Sequence, residues 1–388
     1  MTKENQADKQ EFSKGLEGVI SNTTKIGYVD GQGGRLIYRG YDIRDLAEHA
    51  SYEETAYLLL YGKLPDLKEL ADFSGKLVSY RDLPADVLDR IVDLPCPCHP
   101  MSLLRTGISL LECMTDTCHT AENLDSKREE GIKLIAQMAT LTAAIARLLK
   151  HQSPVSPDHH LSHSANFLYM LSGKRAEPLA ERVMDVSLIL HADHGMNAST
   201  FASMVVASTL SDLYSSITSG IATLKGPLHG GANERVIQML MSLGSVQEAE
   251  TYVGHAIASK EKIMGFGHRV YKTYDPRAKI LQAYARDVTE MTGNRRLFEI
   301  AEAVEKRVTE AYSQKGVFPN VDFYSGLIYH SLGIDRGIFT PIFAVGRIAG
   351  WVARVIEYLE DNRLFRPRAV YVGPIDLPYL PMEKRNFS

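Results

Sequence analysis

Long hydrophobic runs are missing from this chain. No stretch of its 388 residues reaches the roughly 18 consecutive apolar positions of a membrane-crossing helix, and the opening "MTKENQADKQEFSKG" lacks the apolar core of a signal peptide. These absences point to a cytoplasmic protein with no membrane partner. Positive charge is not in excess either: 43 Lys and Arg against 47 Asp and Glu give a formal net charge of −4. That balance gives no support for nucleic-acid binding by bulk electrostatics, so any basic function must be local. Cysteine is scarce. Cys96, Cys98, Cys113 and Cys118 lie near His99 and His119, but "CPCHP" leaves one residue inside its first pair, whereas structural zinc sites use pairs spaced C-x₂₋₄-C. Ordinary reduced thiols fit better. Internal repeats and low-complexity segments are absent, and the first dozen residues are expected to be disordered.

What is present is helical periodicity in an ordinary globular composition, 45% hydrophobic and 23% charged. In "VGRIAGWVARVIEYL", Val345, Ile348, Ala349, Val352, Val355, Ile356 and Leu359 form one stripe, with Arg347 pointing away from it. Segments 131–149 and 201–210 are apolar nearly all round, which predicts burial on most sides in a core or a subunit interface. Only "RLIYRGYDI", after the turn signal "DGQGG", reads as strand. The class is all-α.

Four breaks in the helical pattern carry histidines, glycines or acids: 191–200 (HADHGMNAST), 225–235 (KGPLHGGANER), 265–279 (GFGHRVYKTYDPRAK) and 318–326 (FPNVDFYSG). The second has no Gly-Lys-Ser/Thr ending and so is no phosphate loop; its glycines let backbone approach a ligand, and Asn233 is placed to cap the next helix. The third has Val270 where a dinucleotide fingerprint needs its third glycine. Its Asp275-Pro276 pair is a cap and first-turn signal that sets Arg277 near the positive end of a helix, a corner that suits a carboxylate. Asp322 reads first as a helix cap. A carboxylate at a helix N-terminus also stays ionised, as a general base requires.

Taken in order, "GPLHGGANE", "GFGHRVYKTYDPR", "PNVDFYSG" and "NRLFRPRAVYVGP", with the N-terminal "GRLIYRGYDIRDLAEHASYEETAYLLLYGKLP", resemble the successive signatures of the citrate synthase family over about residues 15 to 375. The resemblance implies a two-domain helical fold with the active site in the cleft between the domains. A discontinuous large domain would comprise 1–219 and 323–388, and a small domain, 220–322, would close over the substrates. It implies condensation of acetyl-CoA with oxaloacetate and hydrolysis of citryl-CoA, with no metal or redox cofactor. Asp322 would take the methyl proton, His229 would bind the thioester oxygen and Ser199 would orient His229. His268 would polarise the ketone, with His194, Arg277, Arg347 and Arg366 binding oxaloacetate. Arg366 would come from the partner subunit, so the family pattern implies a homodimer. Lys272, and with it Lys262 and Arg269, would contact coenzyme A. This chain departs from many relatives in carrying Gly195 where they have an acid, and Lys272 where some have arginine. Two other readings stand beside this one. A 2-methylcitrate synthase would use propionyl-CoA, one methylene larger, a difference worth about 1–3 kcal/mol in a pocket. A helical scaffold or ligand-binding module would keep the fold without the chemistry.

Overall fold

The structure is a computed structural model that describes residues 13–94, 98–114 and 123–385. The first dozen residues, Cys96, Cys118 and His119, on which the disorder and zinc readings bear, lie outside the described residues. Among the described residues no group of His, Cys, Asp and Glu is arranged to hold a metal.

Three short strands come first: β1 (Gly27–Asp30), β2 (Arg35–Tyr38) and β3 (Tyr41–Asp42), antiparallel in sequence order, with Tyr28 opposite Ile37 and Tyr38 opposite Tyr41. Only the middle and last were visible as strand signal. β1 has a single inward neighbour set to pair with and little alternation of its own. Leu36 and Tyr38 turn inward on alternate residues, and both are fully buried.

The rest is helical. The first group is α1 (Ile43–His49), α2 (Tyr52–Tyr61), α3 (Leu67–Ser79), α4 (Ala85–Val92), α5 (Pro100–Cys113) and α6 (Leu124–Leu148). Next come α7 (His163–Ser172), α8 (Pro178–His191), α9 (Ala198–Ser208), α10 (Leu213–Leu224) and α11 (Ala232–Met241). The last group is α12 (Val246–Ser259), α13 (Pro276–Met291), α14 (Arg295–Tyr312), α15 (Val321–Ser331) and α16 (Phe339–Glu360).

Helices α6 and α16 form the centre. The segments 124–148 and 336–360 are long and apolar enough to cross a membrane by length and composition alone, but 83% and 94% of their apolar windows are buried within the fold. They are core helices. Gly131 lets them meet, because a Cβ there would fall 2.3 Å from Val352. The stripe read from sequence in α16 is real, yet the helix is buried on all sides, so Arg347 points into protein and is 1% exposed. In α9, by contrast, Ser203, Met204 and Ala207 are buried while Phe201, Ala202, Val205 and Val206 are only half covered. After α16, residues 361–385 run mostly without regular structure and expose Leu364, Val370, Tyr371, Val372, Ile375, Leu377 and Tyr379.

The approach of α16 to α8 positions the site. Gly346 packs on Leu188 and His191, and a Cβ on Gly350 would stand 2.0 Å from the Ala192 carbonyl oxygen. Alanine at 350 must therefore push the helices apart, and overpacking of this kind costs about 1–3 kcal/mol. Gly350→Ala is expected to lower the midpoint of chemical denaturation accordingly, with weaker binding of any ligand that uses Arg347. An unchanged midpoint would show that the backbone gives way freely.

Candidate active site

Each of the four breaks lies between a helix end and the next helix start. After α8, Asp193 is fully buried and forms a two-pronged pair with Arg354 of α16, Nε to Oδ1 at 3.0 Å and Nη2 to Oδ2 at 2.7 Å. This pair anchors the loop that presents His194, which is 9% exposed and within 3.3 Å of the Tyr271 hydroxyl. Gly195 takes φ = +61° and donates its N–H to Asp193, so the departure from an acidic residue coincides with a left-handed turn that favours glycine. Asn197 caps α9.

The second break turns on the His229 N–H bond to the Gly226 carbonyl. Asn233 is not the cap predicted for α11. Gly231 is, at φ = +75°, leaving Asn233 buried in the first turn. His229 Nε2 lies 2.8 Å from the Ser199 hydroxyl and accepts the Ser199 backbone N–H at 3.3 Å. With a backbone donor on Nε2 the ring proton is assigned to Nδ1, and the Ser199 hydroxyl is then shared between Nε2 and Asn197 Oδ1, 2.8 Å from each. Trp351 donates its indole N–H to the Ser199 hydroxyl at 3.2 Å. Nothing in the spacing of the sequence marked Trp351 for this task.

The third break holds the reverse tautomer. Val270 and Tyr271 both donate backbone N–H groups to His268 Nδ1, at 3.0 and 3.2 Å, leaving Nε2 to carry the proton. The rings of His194, His268 and Tyr271 pack within 4.9–5.5 Å of one another. Asp275 caps α13, as the Asp-Pro signal suggested, and it also grips Arg277 through Nε at 3.1 Å and Nη2 at 2.8 Å, a pair the sequence reading did not include. The "DGQGG" turn has a use beyond ending a strand: Gly31 accepts the Lys272 N–H at 2.9 Å, and a Cβ on Gly31 would strike the Val270 carbonyl at 2.2 Å.

In the fourth break Asp322 is not the cap; Asn320 caps α15 and accepts the Asp322 N–H at 3.1 Å. The loop is tied to the third break by the Asn320 N–H to Gly265 and the Gly267 N–H to Phe318, each 2.9 Å.

Electrostatics join the four. Arg347 donates Nε–H to the His191 carbonyl and forms no ion pair among the described residues. Burial, with Arg277 and Arg354 nearby and Asp193 only partly compensating, pulls its pKa down to about 10. Burial disfavours the charge of Arg277 too, but Asp275 outweighs it and raises that pKa above its usual value. Burial and then these cations hold His229 and His268 down to about 4, and His194 well below its ordinary value. All three imidazoles are neutral at pH 7. The helix end does not keep the Asp322 carboxyl at an ordinary value: burial, aided by Asp275, pushes it up to about 6 against the pull of Arg277 and Arg347.

The remaining predicted residues lie outside this cluster. Lys262, Arg269 and Lys272 are exposed; Arg269 and Lys272 are near enough to contribute to the lowering of His229 and His268, and Lys272 Nζ donates to the Arg269 carbonyl at 3.3 Å. Arg366 is exposed on the segment after α16. A cavity of about 460 Å³ beside Ala146, Leu168, Ser172, Met291 and Ser331 is lined by none of the site residues.

The family described as citrate synthase, C-terminal domain, matches residues 15–368. The chain belongs to the citrate synthase family. A citrate synthase of Deinococcus radiodurans is 46% identical over 97% of this chain and 99% of its own. The crystal structure of citrate synthase from Pyrobaculum aerophilum superposes with a TM-score of 0.90 at 44% identity, covering 96% of this chain and 95% of its own. A Thermoplasma acidophilum citrate synthase, solved as a ternary complex with carboxymethyl coenzyme A and oxaloacetate, superposes with a TM-score of 0.91 at 37% identity, covering 97% and 100%. Family membership makes this chain an acyl-CoA transferase that forms citrate.

In protein labelled with ¹³C in its carboxyl groups, the Asp322 carbon is expected to titrate with a midpoint near pH 6, while His229 and His268 stay neutral down to about pH 4. An Asp322 midpoint in the ordinary range around 3.9 would show that burial does not control it.

Proposed function

We propose that the cluster condenses acetyl-CoA with oxaloacetate, with Asp322 as base and two neutral histidines as hydrogen-bond donors. The observation that carries this is the pair of opposite tautomers: backbone N–H groups occupy Nε2 of His229 and Nδ1 of His268, so each ring keeps one N–H for a substrate oxygen. A carbon acid beside a carbonyl needs a base and a donor on the oxygen where charge develops. Asp322, raised to about 6, is mostly ionised at neutral pH yet more basic than an ordinary carboxylate. It takes the methyl proton; His229 Nδ1–H stabilises the resulting enolate oxygen. The enolate carbon attacks the oxaloacetate ketone, whose oxygen becomes an alkoxide that takes the His268 Nε2 proton, and the proton removed by Asp322 returns through solvent to restore both groups. Water then cleaves citryl-CoA to citrate and coenzyme A. Side chains supply every step, so the scheme calls on no metal or redox cofactor.

His194, Arg277 and Arg347 bind the dicarboxylate. Arg347 has the stronger need of it, since a buried guanidinium without a carboxylate gains most from an incoming one. Lys272, Lys262 and Arg269 are assigned to the phosphates of coenzyme A, on the strength of their exposed positive charge and of the influence of Arg269 and Lys272 on the site histidines. Residues 220–322 are assigned to the closing domain, because His229 and His268 fall inside that span while His194 and Arg347 fall outside it. Closure driven first by oxaloacetate would keep water from the enolate.

The assembly assigned to the chain is a homodimer with Arg366 completing the partner's site. Its support is the half-covered face of α9 and the exposed apolar residues that follow α16.

Free-thiol release with oxaloacetate is expected to give a higher kcat/KM for acetyl-CoA than for propionyl-CoA, and Asp322→Asn should lower kcat by about 10²-fold or more while oxaloacetate binding stays nearly intact. A propionyl preference would overturn the acyl assignment; lost oxaloacetate binding would make Asp322 structural.

In mixed dimers of wild type and Arg366→Ala, oxaloacetate use should fall in the wild-type subunit's site. Loss confined to the mutant subunit's own site would rule out a shared site.

A further inference from the structure

Glu305 lies on α14, a helix that carries none of the residues discussed above. It is partly buried, and its two oxygens are claimed from two directions. The Tyr274 hydroxyl donates to Oε1 and the Tyr324 hydroxyl donates to Oε2. Gln282 of α13 braces the second contact, donating to Glu305 Oε2 at 3.0 Å and to the Tyr324 hydroxyl at 2.9 Å. Ring packing supports both tyrosines: Tyr324 on Phe298 at 6.3 Å, and Tyr274 on Phe318 at 5.9 Å.

The two tyrosines occupy telling places in the chain. Tyr274 immediately precedes Asp275, the cap of α13 and the partner of Arg277. Tyr324 lies two residues after Asp322, in the first turn of α15. One carboxylate thus joins the segment that fixes the oxaloacetate arginine to the helix that carries the base.

We infer that Glu305 is a positioning residue that sets Asp322 relative to Arg277 by clamping Tyr324 and Tyr274 with the two oxygens of one carboxylate. This inference rests on the roles given above to Asp322 and Arg277. Three neutral donors on one carboxylate all favour its ionised form, which opposes the upward push of burial on Glu305. The clamp is a chemical match as well as a geometric one. A hydrophobic contact could hold the two segments together, but it would tolerate sliding. Hydrogen bonds of fixed length and direction set distance, and misplacement of a catalytic group by about 1 Å can lower a rate by roughly 10²-fold.

The clamp has two arms that can be cut separately. Tyr324→Phe removes the arm to Asp322. It is expected to lower kcat roughly tenfold and raise the kinetic isotope effect with methyl-deuterated acetyl-CoA, leaving the oxaloacetate KM within about twofold of wild type. Tyr274→Phe removes the arm to Arg277 and is expected to raise the oxaloacetate KM several-fold with kcat within about twofold. Glu305→Ala should show both effects and Glu305→Gln a partial recovery. Adding the two Phe substitutions to Glu305→Ala should make it no worse, because the three groups act as one unit.

All assays use the full chain well below each variant's melting temperature. If Glu305→Ala does not fold, the Phe variants, each lacking one hydroxyl, carry the test. Wild-type kcat, KM and isotope effect in the Phe variants would overturn the inference, as would an identical change in all parameters for both. If Asp322→Asn itself keeps turnover, the reading of Asp322 fails; if it does not, and the clamp variants still run at wild-type rates, only the clamp fails.

Discussion

Two guanidinium groups held out of water are the constraint around which this molecule is arranged. Arg277 and Arg347 are 2% and 1% exposed. Burying a cation is costly unless it is paired, and the two solve the problem differently. Arg277 has Asp275, a residue that also caps its own helix, so one side chain performs both tasks. Among the described residues Arg347 has the His191 carbonyl and the face of Phe343, 4.7 Å from its carbon, and no ion pair. Around this field the imidazoles stay neutral, because adding a third or fourth positive charge to a desolvated space is unfavourable.

The same field sets the Asp322 carboxyl. Burial and Asp275 raise the Asp322 carboxyl, and the arginines lower it; the balance falls at about 6. Either influence alone would spoil the group. A carboxylate dominated by the arginines would be too weak a base, and one dominated by burial would be protonated at neutral pH. Under the roles proposed above, the arginines assigned to one substrate also tune the carboxyl assigned to activate the other.

The all-α class, the central helices and the cap before Arg277 were legible in the sequence because each depends on neighbours within a few residues. The errors also have physical reasons. The stripe in α16 suggested one buried face, but a helix enclosed on all sides buries its arginine as well. Asn233 and Asp322 both looked like caps, yet in each case a residue just upstream took that place: Gly231, with φ open to the left-handed region, and Asn320. The contacts of Ser199 with His229, of Trp351 with Ser199, of Tyr271 with His194 and of Glu305 with Tyr324 span 19 to 152 residues. No local spacing rule reaches that far. The resemblance supplied Ser199; the other three needed the fold.

The burial of Arg347 without an ion pair among the described residues also bears on how long the folded chain lasts. A dicarboxylate that pairs with this guanidinium binds the folded chain and has no such site on the unfolded one, so it shifts the folding equilibrium by mass action. At a thousand times its dissociation constant such a ligand adds about 4 kcal/mol, comparable to a sizeable part of the whole stability of an ordinary domain. The protein is then least durable when its cleft is empty, and its lifetime against unfolding follows the supply of the acid it consumes.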